Sequence, residues 1–360
     1  MQMIINILVF LLILTTIVTV HEFGHFIAAK FFGVYCGAFS IGMGPKIFAK
    51  KGKETEFQIR AIPIGGFVTM AGEADQEENE DFKDIPVERS LKGKKTYQKL
   101  IIFLAGVFNN FLLAVIILMC LSMTVGLVPA DDAKIGAISK GSVAEKASIQ
   151  VGDTITKVEN ITTSEVTEIK DFNDLTTALT AKGNDPMQTF NITVIRNGQE
   201  LVIPVTAELN SDTHRYLLGV TQASKTLGFI DSFKYTMTTF GQMALLICSA
   251  LASLVTRFAS TVHELSGPVG IYSITANVTQ SGQFSELFYL MALLSVNIGV
   301  FNLMPIPGLD GAQALFAIAE GIMHREIPVN TKAFIQFIGL TLVLALMLFV
   351  TYQDIIRLLG

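Results

Sequence analysis

The sequence is poor in cysteine, in tryptophan and in charge. Its 360 residues include no tryptophan, three cysteines and only 16% charged residues. An odd cysteine count without a CxxC pair argues against a disulfide framework and against thiolate metal ligation; the three are Cys36, Cys120 and Cys248. With 26 basic against 31 acidic residues, the chain lacks the basic excess of a nucleic-acid-binding protein, so no nucleic-acid partner is expected.

Apolar residues dominate what is present. Hydrophobic residues make up 51% of the chain and the mean hydropathy is +0.52, values typical of a polytopic membrane protein. The first apolar run lacks a cationic start and a small-residue cleavage site, so we interpret it as a retained span and not as a signal peptide. The sequence predicts a polytopic α-helical membrane protein with about four transmembrane helices, at residues 4–31, 100–127, 287–303 and 334–350.

The end of the first run contains His21-Glu22-Phe23-Gly24-His25, the HExxH pattern of zinc hydrolases. Residues four apart share a face of a helix, so His21 and His25 can offer nitrogens to one Zn²⁺ while Glu22 lies beside them as a base. The pattern is short, and a chance occurrence is the alternative. Ionisable groups inside an apolar span are costly, however, and usually line a site. The position of the pattern therefore favours metal chemistry.

Lysines indicate the orientation of the chain. They cluster in the loop between the first two spans, near both of its ends, so the positive-inside rule makes this loop cytoplasmic and the N-terminus external. A zinc site needs a third protein ligand besides the two histidines. To reach the depth of the HExxH pattern, this ligand must come from another span that ends on the cytoplasmic side. A full crossing at residues 240–255 would invert the next span, so we interpret this segment as an interfacial or re-entrant helix.

The cytoplasmic loop contains an alternating segment and an acidic one. Residues 56–70 alternate polar and apolar side chains around Pro63 and the pair Gly65-Gly66. This pattern predicts a membrane-associated β-hairpin over residues 57–68 with an available edge. The acidic residues 73–84 are predicted to be a solvated loop.

Residues 128–210 have the pattern of a small α/β module. A strand is expected at residues 134–138 and a turn into a strand at 151–155. Helices are expected at 142–147 and 171–181, and a hairpin across Asn197-Gly198. The order G-S-x-A-x-x-A and then G-D-x-I resembles a circularly permuted bacterial PDZ domain. The resemblance implies that an extended peptide can bind as an added strand; the alternative is a structural cap without a ligand. By the orientation above, this module is extracytoplasmic.

A zinc site needs a third protein ligand and an open position, and the candidate is Asp310. It lies in Asn302-Leu303-Met304-Pro305-Ile306-Pro307-Gly308-Leu309-Asp310-Gly311, where two prolines break a membrane helix. Unwound backbone at membrane depth is tolerated only when it is buried in protein or lines a polar cavity. An ordinary helix-terminal aspartate is the alternative, but the break favours a ligand.

In combination these motifs resemble the site-2 protease family of intramembrane zinc metalloproteases, in its bacterial RseP-like branch with one PDZ domain. Further matching segments are residues 39–45, 65–68, 106–110 and 266–271. Val107 departs from the family, which usually has proline there, and some members carry two PDZ domains. The resemblance implies zinc ligation by His21, His25 and Asp310, catalysis by Glu22, and substrate binding by Asn297, Asn302 and Asn110.

Four regions follow along the chain. The first half of the membrane protease core is expected at 1–127, and the PDZ-like domain at 128–210. An interfacial region follows at 211–285, and the second half of the core at 286–360.

The expected function is zinc-dependent cleavage in or near the membrane span of single-span proteins, in the bacterial inner membrane. Regulated intramembrane proteolysis of this kind acts on anti-sigma factors or remnant signal peptides. Because a transmembrane helix must unwind before cleavage, the edge of the 57–68 hairpin is expected to hold the opened strand. The alternative is a non-catalytic zinc-binding membrane scaffold that recruits partners through the PDZ-like module and does not need Glu22. A transporter is a weaker interpretation, because no inverted repeat is visible.

Overall fold

A computed structural model describes residues 2–73, 82, 84–181, 185–210, 214–257, 262, 265–281 and 283–359. Most of the acidic segment that was predicted to be a solvated loop lies outside these residues. The chain divides into two compact units. The first contains Met1–Cys120 and Phe233–Gly360, and the second contains Leu121–Ser232.

Helices and strands alternate along the chain in a few long and many short elements. The helices are α1 (Gln2–Phe31), α2 (Thr96–Thr124), α3 (Val143–Lys146), α4 (Phe172–Ala178), α5 (Phe229–Thr256), α6 (Pro268–Ser281), α7 (Phe284–Leu303), α8 (Asp310–Met323) and α9 (Val329–Leu359). The strands are β1 (Cys36–Lys51), β2 (Glu56–Met70), β3 (Val128–Pro129), β4 (Ile135–Ile138), β5 (Thr154–Asn160), β6 (Glu165–Glu168), β7 (Met187–Arg196), β8 (Gln199–Asn210), β9 (Arg215–Tyr216), β10 (Val220–Gln222) and β11 (Ser224–Lys225).

Within the described residues, five helices are long and apolar enough to cross a membrane: α1, α2, α5, α7 and α9. Helices are confirmed at the four predicted spans, in α1, α2, α7 and α9, although α2 ends at Thr124, before the predicted end at residue 127. Long apolar runs form helices because only an internally hydrogen-bonded backbone is compatible with hydrocarbon. The fifth helix, α5, contains residues 240–255. Its length and composition allow a crossing, and the interfacial interpretation of this segment stays a prediction.

The pairing of β1 with β2 differs from the predicted hairpin. The prediction paired the two halves of residues 57–68 with each other. Instead β1 lies between them, and Phe39 of β1 pairs with both Phe57 and Val68 of β2. Gly42 has a φ of 83°, a conformation that glycine adopts without steric cost, and it helps β1 to bend. The predicted self-pairing is wrong because alternation indicates strand character but does not identify the partner strand.

The sheet is fixed to the end of α1 that follows the HExxH pattern. A core cluster joins it to α1 and α2, and its buried members include Ala29, Phe39, Val68, Met70 and Ile102. At the turn between β1 and β2, the Glu54 carboxylate accepts hydrogen bonds from Lys30 at 2.7 Å and from Arg89 at 2.6 Å. These two cations hold the pKa of Glu54 below its ordinary value.

The proline-containing segment separates α7 from α8, which confirms the predicted break. α7 ends at Leu303 and α8 begins at Asp310. Gly308 has a φ of 96°, which turns the chain sharply. A β-carbon at Gly311 would lie 2.3 Å from the carbonyl oxygen of Met304, so only glycine fits this turn. The turn places Asp310 at the start of a new helix.

The second unit is a small α/β module. One antiparallel sheet has the strand order β6-β5-β7-β8-β9, while β4 pairs with β10 and β3 with β11. α3 packs against β8, and α4 packs against β5 and β6. The largest fully buried side chains include Ile155, Leu175, Phe190 and Tyr216. The predicted strands, helices and hairpin of this module are present, whereas its assignment as a PDZ domain stays a prediction from the sequence pattern.

Candidate active site

His21 and His25 lie one turn apart on the same face of α1. Their Nε2 atoms are 3.2 Å apart, and both side chains are buried. Asp310, in the first turn of α8, directs one carboxylate oxygen at both rings. Its Oδ2 lies 3.0 Å from Nε2 of His21 and 3.3 Å from Nε2 of His25. The structure therefore brings together the three predicted ligands from the two ends of the chain.

The spacing of these three atoms fits a tetrahedral zinc ion. Bonds of about 2.0–2.1 Å in a tetrahedron separate neighbouring ligand atoms by about 3.3 Å, close to the 3.0–3.3 Å observed here. Apart from the two Nε2 atoms, the buried Oδ2 of Asp310 has no hydrogen-bond partner among the described residues. When both Nε2 atoms lack a proton, as metal binding requires, this oxygen has no donor. A buried anionic oxygen without a donor is costly, and a cation removes that cost. Two imidazoles and a carboxylate are a donor set that suits zinc.

The other nitrogen of each ring contacts α2. Nδ1 of His25 donates a hydrogen bond of 2.8 Å to the carbonyl oxygen of Ile102. A neutral His25 ring therefore carries its proton on Nδ1, which leaves Nε2 free to bind a metal. Nδ1 of His21 lies 3.3 Å from Nδ2 of Asn110. Asn110 was predicted to bind substrate; the structure places its side chain against His21.

Glycines allow α1 and α2 to approach closely at the site. A β-carbon at Gly24 of α1 would lie 2.3 Å from the carbonyl oxygen of Ala105. On α2, Gly106 faces the histidine pair. Small residues at a helix contact let backbones approach within a membrane, and here they bring α2 within hydrogen-bonding distance of both rings.

A cavity of about 450 Å³ lies beside the ligand group. Glu22, His25 and Asp310 line it together with residues 67–70 of β2. Glu22 is thus at the cavity wall, where a base for hydrolysis is needed. The backbone N–H of Val68 approaches its carboxylate, so the part of β2 near the chemistry is residues 67–70.

Asn297 and Asn302 are not part of this ligand group. They line a separate cavity of about 370 Å³. Most of the other residues around it are aliphatic and come from α5, α6, α7 and α9, among them Leu251, Ile271, Val343 and Met347.

Sequence reasoning missed the contact of α2 with the site. Gly106 and Asn110 are four residues apart and therefore share a helix face, a signal that could have placed both against α1. For β2, the edge of residues 57–68 was expected to hold the substrate, and residues 67–70 line the cavity. Which part of the strand approaches Glu22 depends on the long-range pairing of the sheet, so the strand pattern alone did not identify it.

Comparisons with known proteins agree with this geometry. A model of peptidase family M50 matches residues 9–346, which include both motifs. A Clostridium perfringens protein named as a zinc metalloprotease is 33% identical over 351 residues, covering 96% of this chain and 97% of that protein. The Bacillus subtilis regulator of sigma-W protease RasP is 29% identical over 428 aligned residues, covering 98% and 99%. The zinc metalloprotease RasP of Bacillus licheniformis is 31% identical with the same coverage.

Proposed function

The chain belongs to peptidase family M50 and is a zinc metalloprotease of the membrane, and we propose that it cuts peptide bonds in or next to the membrane span of single-span proteins. The observation that carries the proposal is the meeting of His21, His25 and Asp310 beside a cavity that Glu22 lines. The two histidines and Glu22 belong to α1, a helix long and apolar enough to cross the bilayer. Chemistry at this position acts on substrates that are themselves in the membrane.

Each residue of the group has a distinct proposed role. His21, His25 and Asp310 would hold the zinc ion, whose chemistry there would be to lower the pKa of a water molecule and to polarise the carbonyl under attack. Glu22 accepts the proton of that water and returns it to the leaving nitrogen. The Ile102 carbonyl keeps His25 in the tautomer that leaves Nε2 available.

The substrate must be extended at the cleavage point, because the carbonyls of an intact helix are already hydrogen-bonded. Residues 67–70 of β2 supply a backbone edge inside the cavity. One side of this segment pairs with β1, where Thr69 is opposite Ala38. The N–H of Val68 points to the other side, toward Glu22. An unwound substrate segment would pair with that second side by β-addition, directly beside the base.

Asn297 and Asn302 would contact the substrate away from the reacting bond. Their cavity is largely apolar and is built from helices, which suits a membrane segment. Amide side chains at such a contact hydrogen-bond to a neighbouring helix or to exposed backbone. In this arrangement the two asparagines hold the substrate and take no part in proton transfer.

The names of the relatives support a proposal for the class of substrate. One relative is named as a regulator of sigma-W protease, and we propose membrane-anchored regulators such as anti-sigma factors, or remnant signal peptides, as substrates of this chain. The proposed location is the bacterial inner membrane with the lysine-rich loop in the cytoplasm. Residues 128–210 would then lie outside the cytoplasm, where a PDZ-like module can bind a peptide or select substrates.

Cleavage of a tagged single-span protein in liposomes tests the proposal. Glu22→Gln should lower the rate at least about 100-fold, because it removes the base, and should keep stoichiometric zinc. Glu145→Gln, which changes an exposed carboxylate of α3 in the same way, is the matched control and should cleave normally. A scaffold that only binds zinc would show no cleavage to lose, and Glu22→Gln protein with wild-type activity would contradict the assigned base.

A further inference from the structure

We propose that Asn110 is a positioning residue that holds His21 in the tautomer able to bind zinc. The inference rests on the proposed function in one respect, the assignment of His21 as a ligand. It concerns the ring nitrogen that does not face Asp310.

The amide of Asn110 has an unusual hydrogen-bonding state. The residue is fully buried, and its Nδ2 lies 3.3 Å from Nδ1 of His21. Its Oδ1 is also buried and has no hydrogen-bond partner among the described residues. Buried amides normally satisfy both their donor and their acceptor. An orphaned acceptor beside a metal-ligand candidate therefore requires an explanation.

Zinc binding through Nε2 supplies that explanation. A neutral imidazole carries one N–H, so a ring that binds a metal through Nε2 must have its proton on Nδ1. Nδ1 is then a donor and needs an acceptor. A half-turn of the Asn110 amide exchanges Nδ2 for Oδ1, and Oδ1 can then accept from Nδ1. After the rotation the oxygen is paired with Nδ1, and the amide NH₂ group takes the position that the oxygen had.

His25 shows the same arrangement with a fixed acceptor. Its Nδ1 donates to the backbone carbonyl of Ile102, also on α2. A backbone carbonyl can only accept, so it permits one tautomer. The neighbour of Nδ1 of His21 is instead the Asn110 side chain, which can turn either Oδ1 or Nδ2 toward the ring. The tautomer of His21 is therefore the one that a substitution on α2 can change.

Neighbouring bonds hold Asn110 in place and leave only its amide to rotate. Ser295 Oγ donates to the backbone oxygen of Asn110 at 2.8 Å. Asn109 Nδ2 donates to the backbone oxygen of Val20 at 3.2 Å. Asn109 thus offers a matched control, because it has the same side chain on the same helix and bonds α1 without contacting a ring nitrogen.

The experiment measures zinc affinity of the full-length protein in detergent by competition with a fluorescent chelator. Asn110→Leu should weaken binding about 10- to 100-fold, the usual effect of losing the partner of a metal-bound histidine. Asn110→Asp should bind within a few-fold of wild type, because a carboxylate can only accept. Asn109→Leu should also match wild type.

The visible spectrum of the Co²⁺-loaded protein gives a second readout. Asn110→Leu should shift this spectrum toward that of His21→Ala, because His21 no longer coordinates in the same way, whereas Asn110→Asp should not. A purely structural role for Asn110 would lower thermal stability in the metal-free state without this spectral change.

Each contrary outcome has a definite meaning. Equal losses in Asn110→Asp and Asn110→Leu would reject hydrogen-bond acceptance, and an equal loss in Asn109→Leu would attribute the effect to helix packing. If Asn110→Leu does not fold, the affinity of Asn110→Asp alone decides. Wild-type zinc affinity in His21→Ala would instead overturn the ligand set of the proposed function, which is a separate failure.

Discussion

Gly106 of α2 faces His25 of α1 so closely that a β-carbon at position 106 would lie 2.4 Å from Nε2 of His25. Its distance to Cε1 of His21 would be 2.8 Å. Real β-carbons do not approach other atoms this closely, so α2 can pack beside the ligand group only because position 106 has no side chain. The absence of a side chain at position 106 is therefore required both for the packing of α1 against α2 and for the geometry of the ligand group.

Gly106→Ala should disturb both rings and weaken zinc binding. Overpacking of this kind costs about 1–3 kcal/mol, which corresponds to roughly a 5- to 150-fold loss of affinity. Zinc content after dialysis against a weak chelator measures the effect. Gly241→Ala on α5 is the matched control, since a β-carbon there has nothing within 4 Å. Full zinc retention in Gly106→Ala would show that α1 and α2 can separate without cost to the site.

Asp310→Ala should lose both zinc and proteolysis, because the third ligand and the charge that balances zinc disappear together. Glu22→Gln should lose proteolysis alone. Comparison of the two variants therefore separates zinc binding from catalysis. Elemental analysis of the purified proteins gives the stoichiometry. Removal of zinc by a strong chelator should abolish cleavage by wild type, and added zinc should restore it in wild type but not in Asp310→Ala. Tightly bound stoichiometric zinc in that variant would require a different third ligand.

Substrate peptides with single N-methyl groups test strand capture by residues 67–70. In a strand, successive backbone N–H groups point to opposite edges. Methylation should therefore slow cleavage at every second position near the scissile bond, with little effect between them. The measurement is the cleavage rate, in detergent, of a series of peptides that share one sequence and differ only in the position of the N-methyl group. A uniform effect, or one that follows a helical period, would exclude pairing with β2.

Replacement of residues 128–225, which contain all the strands from β3 to β11, by a flexible linker should change selection and leave the chemistry intact. A module of this size in the proposed external position would obstruct substrates with bulky outer domains and admit trimmed ones. The variant should therefore cleave intact and trimmed single-span substrates at similar rates, whereas wild type prefers the trimmed form. A folded, zinc-loaded variant that cannot cut the trimmed substrate would mean that the module helps to build the site.

The second unit should lose stability in acid through one ion pair. Arg196 binds both carboxylate oxygens of Asp153 at 2.7–2.8 Å. Burial alone would raise the pKa of Asp153, but the bonds from Arg196 and from the N–H of Gln150 bring it below the ordinary 3.8. A lowered folded-state pKa stabilises the fold above the unfolded value, and this stabilisation disappears as the pH falls from about 4 through the folded-state pKa.

Hydrogen-exchange protection factors of β5 and β7 in the full-length protein measure this effect. Arg196→Leu should lower the free energy of unfolding at neutral pH, because it leaves the Asp153 carboxylate without its charged partner, and should flatten the acid dependence. Asp131→Ala breaks an exposed pair with Lys225 and should have little effect. Unchanged protection in Arg196→Leu would show that other contacts determine the stability of the sheet.

The ligand group could be predicted from sequence because its signals are local. The HExxH spacing fixes two histidines on one helix face, and the prolines before Asp310 mark a break that a lipid-facing helix would not tolerate. The partner of His21 on α2 was missed. Which face of α2 turns toward α1 depends on the packing of glycines on both helices, and this information is not contained in either segment alone.

The sheet shows the same limit. Alternation in residues 56–70 correctly indicated a strand, but the strand pairs with β1 and not with itself. The spacing of hydrophobic residues determines which side chains share a face of the strand. The identity of the partner strand depends on which other segment the fold places beside it. For α5 the limit is different, since apolar length is necessary for a crossing but does not decide between a crossing helix and an interfacial one.

The break before α8 has a consequence for biosynthesis. A nascent chain that has emerged only as far as α2 carries both histidines and Glu22, but Asp310, the proposed third ligand, is still to be translated. Until α8 is in place, two histidines alone hold zinc weakly. The protease would therefore remain inert towards neighbouring membrane proteins during its own insertion and become competent only when nearly the whole chain has been assembled.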